Sequence, residues 1–246
     1  MNVSESGDAG FFGERAASFY DVRSGSDPEL VGPVVQMLAD PAGDGAALEL
    51  GIGTGRIALP LADRGVRVAG IDNSEAMLSR LRAKPGAEAV EVVEGDFASA
   101  RVDGEFSVVY LVFNTISNLV TQDAQVACFQ NAAAHLPSGG RFVIENTVPA
   151  LQSLPPGQTV LPFRADPEGF SFDVYDVVTQ RFSSQHYYIA DGRLEAFPVD
   201  FRYAWPAELD LMARLAGMRL HDRWAGWRHE PFTAVSPSHV SVYEKV

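Results

Sequence analysis

Leu48-Glu49-Leu50-Gly51-Ile52-Gly53-Thr54-Gly55-Arg56 carries three glycines where a strand gives way to a helix. It follows a short apolar run, Ala46–Ile52, and opens an amphipathic stretch, Arg56–Arg64, with Ile57, Leu59, Leu61 and Ala62. A chain that turns sharply from strand to helix needs permissive backbone, and a ligand lying against the turn needs side chains out of its way. Glycine supplies both. The glycines stand at alternate positions, and Arg56 occupies the place where a dinucleotide fingerprint wants its third glycine. No Lys-Ser/Thr pair follows, which disfavours a P-loop. Glu49, two residues before Gly51, would repel a pyrophosphate but can hold a cationic amino group, directly or through water. The turn therefore suits an amino-acid-bearing nucleoside.

Val66–Asp72 and Ala89–Val93 read as strands, and so do Phe106–Phe113 and Arg141–Glu145. Ser74 is placed to cap a helix carrying Met77 and Leu81 on one face. Thr121–Leu136 has helical spacing and is stopped by Pro137-Ser-Gly-Gly. Alternating strands and helices predict a parallel sheet covered on both faces, with ligands at the carboxyl edge. Asp72 ends the second strand, 17 residues past Gly55, where a carboxylate can accept from both ribose hydroxyls. Asp96 ends the third and can accept from the adenine amine, with Met77 or Phe97 packing the ring.

Glu49–Gly55, Gly70-Ile-Asp72-Asn73-Ser-Glu-Ala-Met77 and Gly95-Asp96-Phe97 together resemble the successive cofactor motifs of class I S-adenosylmethionine-dependent methyltransferases. Leu136–Glu145 resembles the turn into the fifth strand of the same fold. The resemblance implies a Rossmann-like α/β fold whose seven-stranded sheet has its last strand antiparallel. It implies S-adenosyl-L-methionine as cofactor, S-adenosyl-L-homocysteine as product, and a methyl acceptor of small-molecule type. By resemblance Gly51 and Gly53 approach the methionine part, Asp72 the ribose with Asn73 beside it, and Asp96 and Phe97 the adenine. Tyr20 and Arg23, in Ala17–Arg23, are expected in a helix that lids the cofactor, with Tyr20 near the sulfonium and Arg23 at the carboxylate.

After Val148 the pattern changes. Phe170–Val178, Arg181–Ile189 and Leu194–Tyr203 are β-like, with a tight turn at Ala190–Arg193. They predict an antiparallel sheet inserted after strand 5. Helical spacing returns at Pro206–Ala216, and two closing strands are expected at Arg219–Trp224 and Val240–Glu244. The expected organisation is a lid and cofactor-binding core over 1–148, an inserted substrate roof over 149–204, and a C-terminal completion of the core over 205–246.

Methyl transfer from a sulfonium is a direct displacement that needs alignment and exclusion of water. A base is needed only if the nucleophile arrives protonated. The segments expected at the ligand edge supply the candidates. Phe113 and Asn118, with Asn114, follow the fourth strand, and an Asn can orient an amine or hydroxyl. Glu145-Asn146 ends the fifth strand. His186, on one strand face with Tyr188, is the best general base if that face roofs the pocket. Trp227 and His229 follow the sixth strand and can wall a pocket. Tyr20, Asn118 and His186 are thus the catalytic candidates, with nitrogen, oxygen and carbon all open as acceptor atoms.

The 246 residues are 46% apolar and 21% charged, ordinary for a globular protein. With 19 basic and 32 acidic side chains the net charge is −13, which disfavours nucleic acid and anionic membrane as partners. The single cysteine, Cys128, sits in an apolar helical stretch and reads as a buried thiol. The histidines are scattered, so no metal is expected. The opening segment has no apolar signal-peptide core, and the longest apolar run, Val108–Phe113, is too short to cross a bilayer, so the chain is expected in the cytoplasm. Two other readings share these features: a protein that binds the nucleoside without catalysis, and a nicotinamide-dependent oxidoreductase on a similar sheet.

Overall fold

The structure is a computed structural model that describes residues 28–190 and 192–246. Its elements in chain order begin with α1 (Pro28–Ala42), β1 (Ala46–Leu50), α2 (Ala58–Ala62), β2 (Arg67–Asp72), α3 (Glu75–Arg82), β3 (Val90–Glu94) and β4 (Val108–Leu111). Then come α4 (Gln122–His135), β5 (Arg141–Thr147), β6 (Val160–Asp166), β7 (Gly169–Asp176), β8 (Arg181–Ala190) and β9 (Arg193–Arg202). The chain closes with α5 (Pro206–Leu215), β10 (Met218–Trp224) and β11 (Ser238–Lys245).

Seven strands form one sheet in the order β10-β11-β5-β4-β1-β2-β3. β1 pairs in parallel with β2 and β4, β2 with β3, and β4 with β5, while β11 runs antiparallel to both β5 and β10. The reversed last strand is the one the resemblance implied. The chain leaves β1 toward β3, then returns to lay β4 on the other side of β1. Strand order reverses there, so a crevice opens at the carboxyl ends of β1 and β4.

All five residues of β1 and all four of β4 are buried. This follows from a sheet clad by helices on both faces, and the two-residue strand period sorts the side chains. Ala46, Leu48 and Leu50 join Phe129, Phe142, Leu209 and Met212 under α4 and α5. Ala47, Tyr110 and Val143 meet Leu38, Ile57 and Leu61 under α1 and α2. The first face centres on Phe129, whose ring meets the rings of Phe142 and Tyr243 edge-on at 5.1 and 5.7 Å. Cys128 is fully buried there, and burial pushes its thiol pKa up.

The expected Ser74 cap forms, its Oγ accepting from Met77 N at 3.3 Å, and Thr121 Oγ1 caps α4 in the same way by accepting from Ala124 N at 3.1 Å, each satisfying an orphan helix donor. Two elements have no counterpart in the sequence reading. α1 carries Pro33 and Pro41, and β6 carries Pro162 at a register irregularity. β6 is an exposed edge strand, the place where a sheet tolerates a proline. The inserted sheet therefore has four strands, ordered β6-β7-β8-β9 and antiparallel throughout. Among the described residues no helix is long and apolar enough to cross a membrane.

Candidate active site

Gly51, Gly53 and Gly55 all have positive φ, at 74°, 54° and 75°, a region that only glycine enters without strain. The turn is stitched to the end of β2: Gly51 N and Ile52 N donate to Ile71 O at 2.8 and 3.1 Å, and Gly53 N donates to Asp72 Oδ2 at 2.8 Å. Asp72 Oδ1 accepts from Ser74 N at 2.9 Å. Burial raises the Asp72 pKa, against the pull of these backbone donors. A carboxylate offers about four acceptor sites, so acceptor capacity remains beyond these backbone bonds. A Cβ on Gly53 would meet no atom within 4 Å, so the turn is open on that side. A Cβ on Gly51 would come within 2.7 Å of Thr115 Cγ2, the turn that follows β4. Glu49 is 3% exposed, and its Oε2 accepts from the Tyr110 hydroxyl at 3.0 Å. Burial raises its pKa to about 8.

Past β4 the chain makes a second tight turn. Phe113 and Asn114 are consecutive non-glycine residues at φ 59°. Thr115 Oγ1 donates to Val112 O at 2.7 Å and Asn118 Nδ2 to Thr115 O at 3.0 Å, closing the turn Thr115–Asn118. Glu145, from β5, accepts from Phe113 N at 2.7 Å on one carboxylate oxygen and from the Trp227 indole at 2.9 Å on the other. The Arg56 guanidinium lies 4.8 Å from the centre of the Phe113 ring. Above this turn a cavity of about 1070 Å³ opens under the inserted sheet. Phe113, Asn114 and Asn118 line it from below, His186 and Tyr188 from the roof, and Ala234–Pro237 from the loop after β10. His186 Nδ1 lies 3.2 Å from Ser171 Oγ and its Nε2 3.1 Å from Ser184 Oγ, both serines being buried.

The profile of a methyltransferase domain matches residues 47–140 of the chain, β1 to the start of β5. Over 242 residues the chain is 31% identical to a cypemycin N-terminal methyltransferase from a Streptomyces species, covering 97% of this chain and 99% of that one. This chain belongs to the class I S-adenosylmethionine-dependent methyltransferases. The structure of the CcbJ methyltransferase from Streptomyces caelestis superposes with a TM-score of 0.85 at 37% identity, covering 97% of this chain and 99% of that chain. The fold is also that of CalS10, an amino pentose methyltransferase from Micromonospora echinaspora solved with S-adenosylmethionine bound (TM-score 0.68, 19% identity, 97% and 99% coverage).

In this methyltransferase Glu49, Gly51, Gly53 and Asp72 gather at the β1–β2 end of the crevice, and Phe113 and Asn118 at the foot of the cavity. Asn73 is exposed beside Asp72, and Met77 is buried at 1% exposure in the first turn of α3. Asp96 is exposed and its Oδ1 accepts from Ala98 N at 2.8 Å, while Phe97 is buried at 8% exposure. Tyr20 and Arg23 lie outside the described residues. Trp227 and His229 are not among the cavity-lining residues, and Trp227 instead braces Glu145. Among the described residues no group of His, Cys, Asp and Glu is arranged to hold a metal. The sequence reading missed Asp173 and Tyr175, which line the roof beside His186. The signal was present in the two-residue alternation Ser171, Asp173, Tyr175, opposite His186, Ser184 and Phe182 in register.

Proposed function

We propose that the enzyme methylates a nitrogen of a small-molecule acceptor seated in the cavity between the sheet edge and the inserted sheet. The observation that carries this reading is the cavity itself, because its floor is the Phe113–Asn118 turn, which packs through Thr115 against the Gly51 end of the glycine turn. S-adenosylmethionine, when bound, supplies an electrophilic methyl group on a sulfonium. Gly51 and Gly53 admit its methionine part, Asp72 with Asn73 takes the ribose, Asp96, Met77 and Phe97 surround the adenine, and Phe113 packs near the reacting end. Glu49 serves the amino group, whose positive charge would draw off the proton that burial holds on the carboxyl, and Tyr20 and Arg23 are proposed to cover the cofactor. The open side of Gly53 and the spare acceptor capacity of Asp72 fit such a ligand.

Asn118 orients the acceptor nitrogen, and His186 takes the proton that an ammonium must lose before its lone pair can attack. Nitrogen is favoured because the curated relative is an N-terminal methyltransferase. The aromatic walls exclude water from the transfer. The acidic chain supports neither a nucleic-acid nor an anionic membrane partner, and the cytoplasm is the proposed setting. Titration calorimetry with S-adenosylhomocysteine, followed by methyl transfer to a panel of primary and secondary amines read by mass spectrometry, tests the reading. Binding with methylated amine products is expected. No binding of S-adenosylhomocysteine overturns it.

A further inference from the structure

The roof of the cavity is one face of the inserted sheet, and its chemistry is lopsided. The in-register pairs Ser171–His186, Asp173–Ser184 and Tyr175–Phe182 across β7 and β8, with Phe201 opposite Phe182 on β9, set a carboxylate above a run of aromatic rings. Tyr175 stacks on Phe182 with centroids 5.3 Å apart, and Phe182 on Phe201 at 5.1 Å. Asp173 Oδ2 accepts from the Tyr175 hydroxyl at 3.4 Å, a long bond. Asp173 Oδ1 is buried and accepts no hydrogen bond. Among the described residues lining the cavity there are two carboxylates, Asp173 and Glu195, and no Lys or Arg.

A carboxylate taken out of water is unfavourable unless a charge or donors compensate it. Burial raises the Asp173 pKa, and Ser184 opposes this only in part. A cation bound at this carboxylate would supply the missing charge, in a cavity that Tyr175, Phe182 and Phe201 wall with aromatic rings and no competing Lys or Arg. We infer that Asp173 and the Tyr175–Phe182–Phe201 ring ladder form a binding site for a positively charged nitrogen of the acceptor. The site selects cationic acceptors over neutral ones of the same shape. It places that nitrogen one residue pair from His186, since Ser184 lies between Asp173 and the His186 ring. This inference rests on the reading of an amine acceptor, and it makes Asp173 a specificity-determining residue.

Choline and its uncharged isostere 3,3-dimethylbutan-1-ol share a shape and differ in charge. Calorimetric titration of both into the enzyme loaded with S-adenosylhomocysteine measures the selection directly. The wild type is expected to prefer choline by about tenfold or more, as a desolvated cation against rings and a carboxylate would. Asp173→Asn should reduce the preference to about twofold or less while leaving the S-adenosylhomocysteine affinity unchanged. Phe182→Leu, which keeps the carboxylate and removes a ring, should lower the preference partway, and it carries the test if Asp173→Asn does not fold. Equal binding of the two probes by the wild type, or an undiminished preference in Asp173→Asn, overturns the inference. A parallel assay with matched amine and alcohol acceptors separates the two readings. Methylation on oxygen alone with the choline preference intact refutes the nitrogen acceptor and upholds the Asp173 site.

Discussion

Glu145 Oε2 accepts the backbone N–H of Phe113 across the β4–β5 edge at 2.7 Å, and this bond holds a turn that the backbone would not choose. Phe113 and Asn114 both sit at φ 59°, where non-glycine residues are strained by on the order of 1–3 kcal/mol each. The other carboxylate oxygen is occupied by the Trp227 indole, so one side chain braces the turn against the loop after β10. Glu145→Ala removes the brace. Methyl transfer and S-adenosylhomocysteine affinity should each fall by about tenfold, the loss of a charged hydrogen bond of roughly 1.5–3 kcal/mol. The melting temperature should drop by only a few degrees, since the site lies at the sheet edge. Trp227→Phe keeps the ring and loses one bond, so its effect should be the smaller. Unchanged affinity in Glu145→Ala would mean that the turn holds itself.

Gly51 and Gly53 should respond differently to alanine. Both need positive φ, but a methyl on Gly51 collides with Thr115 while one on Gly53 enters open space. Gly51→Ala is expected to destabilise the fold by about 2 kcal/mol or more, through overpacking joined to backbone strain. Gly53→Ala should cost about 1–2 kcal/mol from its φ alone and lose cofactor affinity in addition, because the open side is where the ligand is proposed to lie. Thermal melts and calorimetry on the two variants separate these effects.

The parts of the protein that sequence disclosed are those where chemistry is local. Three alternating glycines and a Ser74 three residues before the amide it caps each act within a few positions. The strands of the core were legible because a sheet covered on both faces leaves continuous apolar runs. β6 was hidden by Pro162, whose meaning depends on lying at an edge. The Glu145 brace joins residues 32 and 82 positions apart, and Asp173 matters only because its strand face roofs a cavity. Such roles depend on pairing between strands, which no single segment encodes.

Glu49 gives stability a pH dependence opposite to that of an ordinary surface carboxylate. Burial raises its folded pKa to about 8, from an unfolded value near 4.5. Below the unfolded value both states hold the proton and Glu49 contributes no slope. Between the two values the native state keeps the proton and the unfolded state releases it, so stability falls as pH rises, by up to about 1.4 kcal/mol per pH unit. Glu49→Gln keeps the shape and cannot ionise. The stability of Glu49→Gln relative to wild type should therefore climb between pH 5 and 8, as read by denaturant unfolding at a series of pH values. A constant difference across that range would place the Glu49 pKa elsewhere.

The roof is fastened to the core by a partly buried ion pair. Arg202, at the end of β9 and 4% exposed, donates to Glu208 of α5 at 2.7 Å and to Gln125 of α4. Gln122 and Gln180 each donate to Glu208 at 2.7 Å. Gln125 in turn donates to Ile116 O, buried in the turn beneath the cavity, and to Arg202 O, both at 3.2 Å. Burial pushes the Glu208 pKa up, but the donors from Arg202, Gln122 and Gln180 outweigh it and leave the carboxyl below its usual range. Arg202→Met leaves the partly buried Glu208 carboxylate with only its two glutamine donors and should cost about 1.5–3 kcal/mol. The double change Arg202→Met with Glu208→Leu removes both charges and should recover most of that loss. A depressed folded pKa gives stability that is present above the unfolded value and lost as pH falls through the folded one. The gap between wild type and Arg202→Met should therefore be full at neutral pH and shrink in acid. A gap that persists below the folded pKa of Glu208 would show that Arg202 acts through packing of its stem and not through its charge.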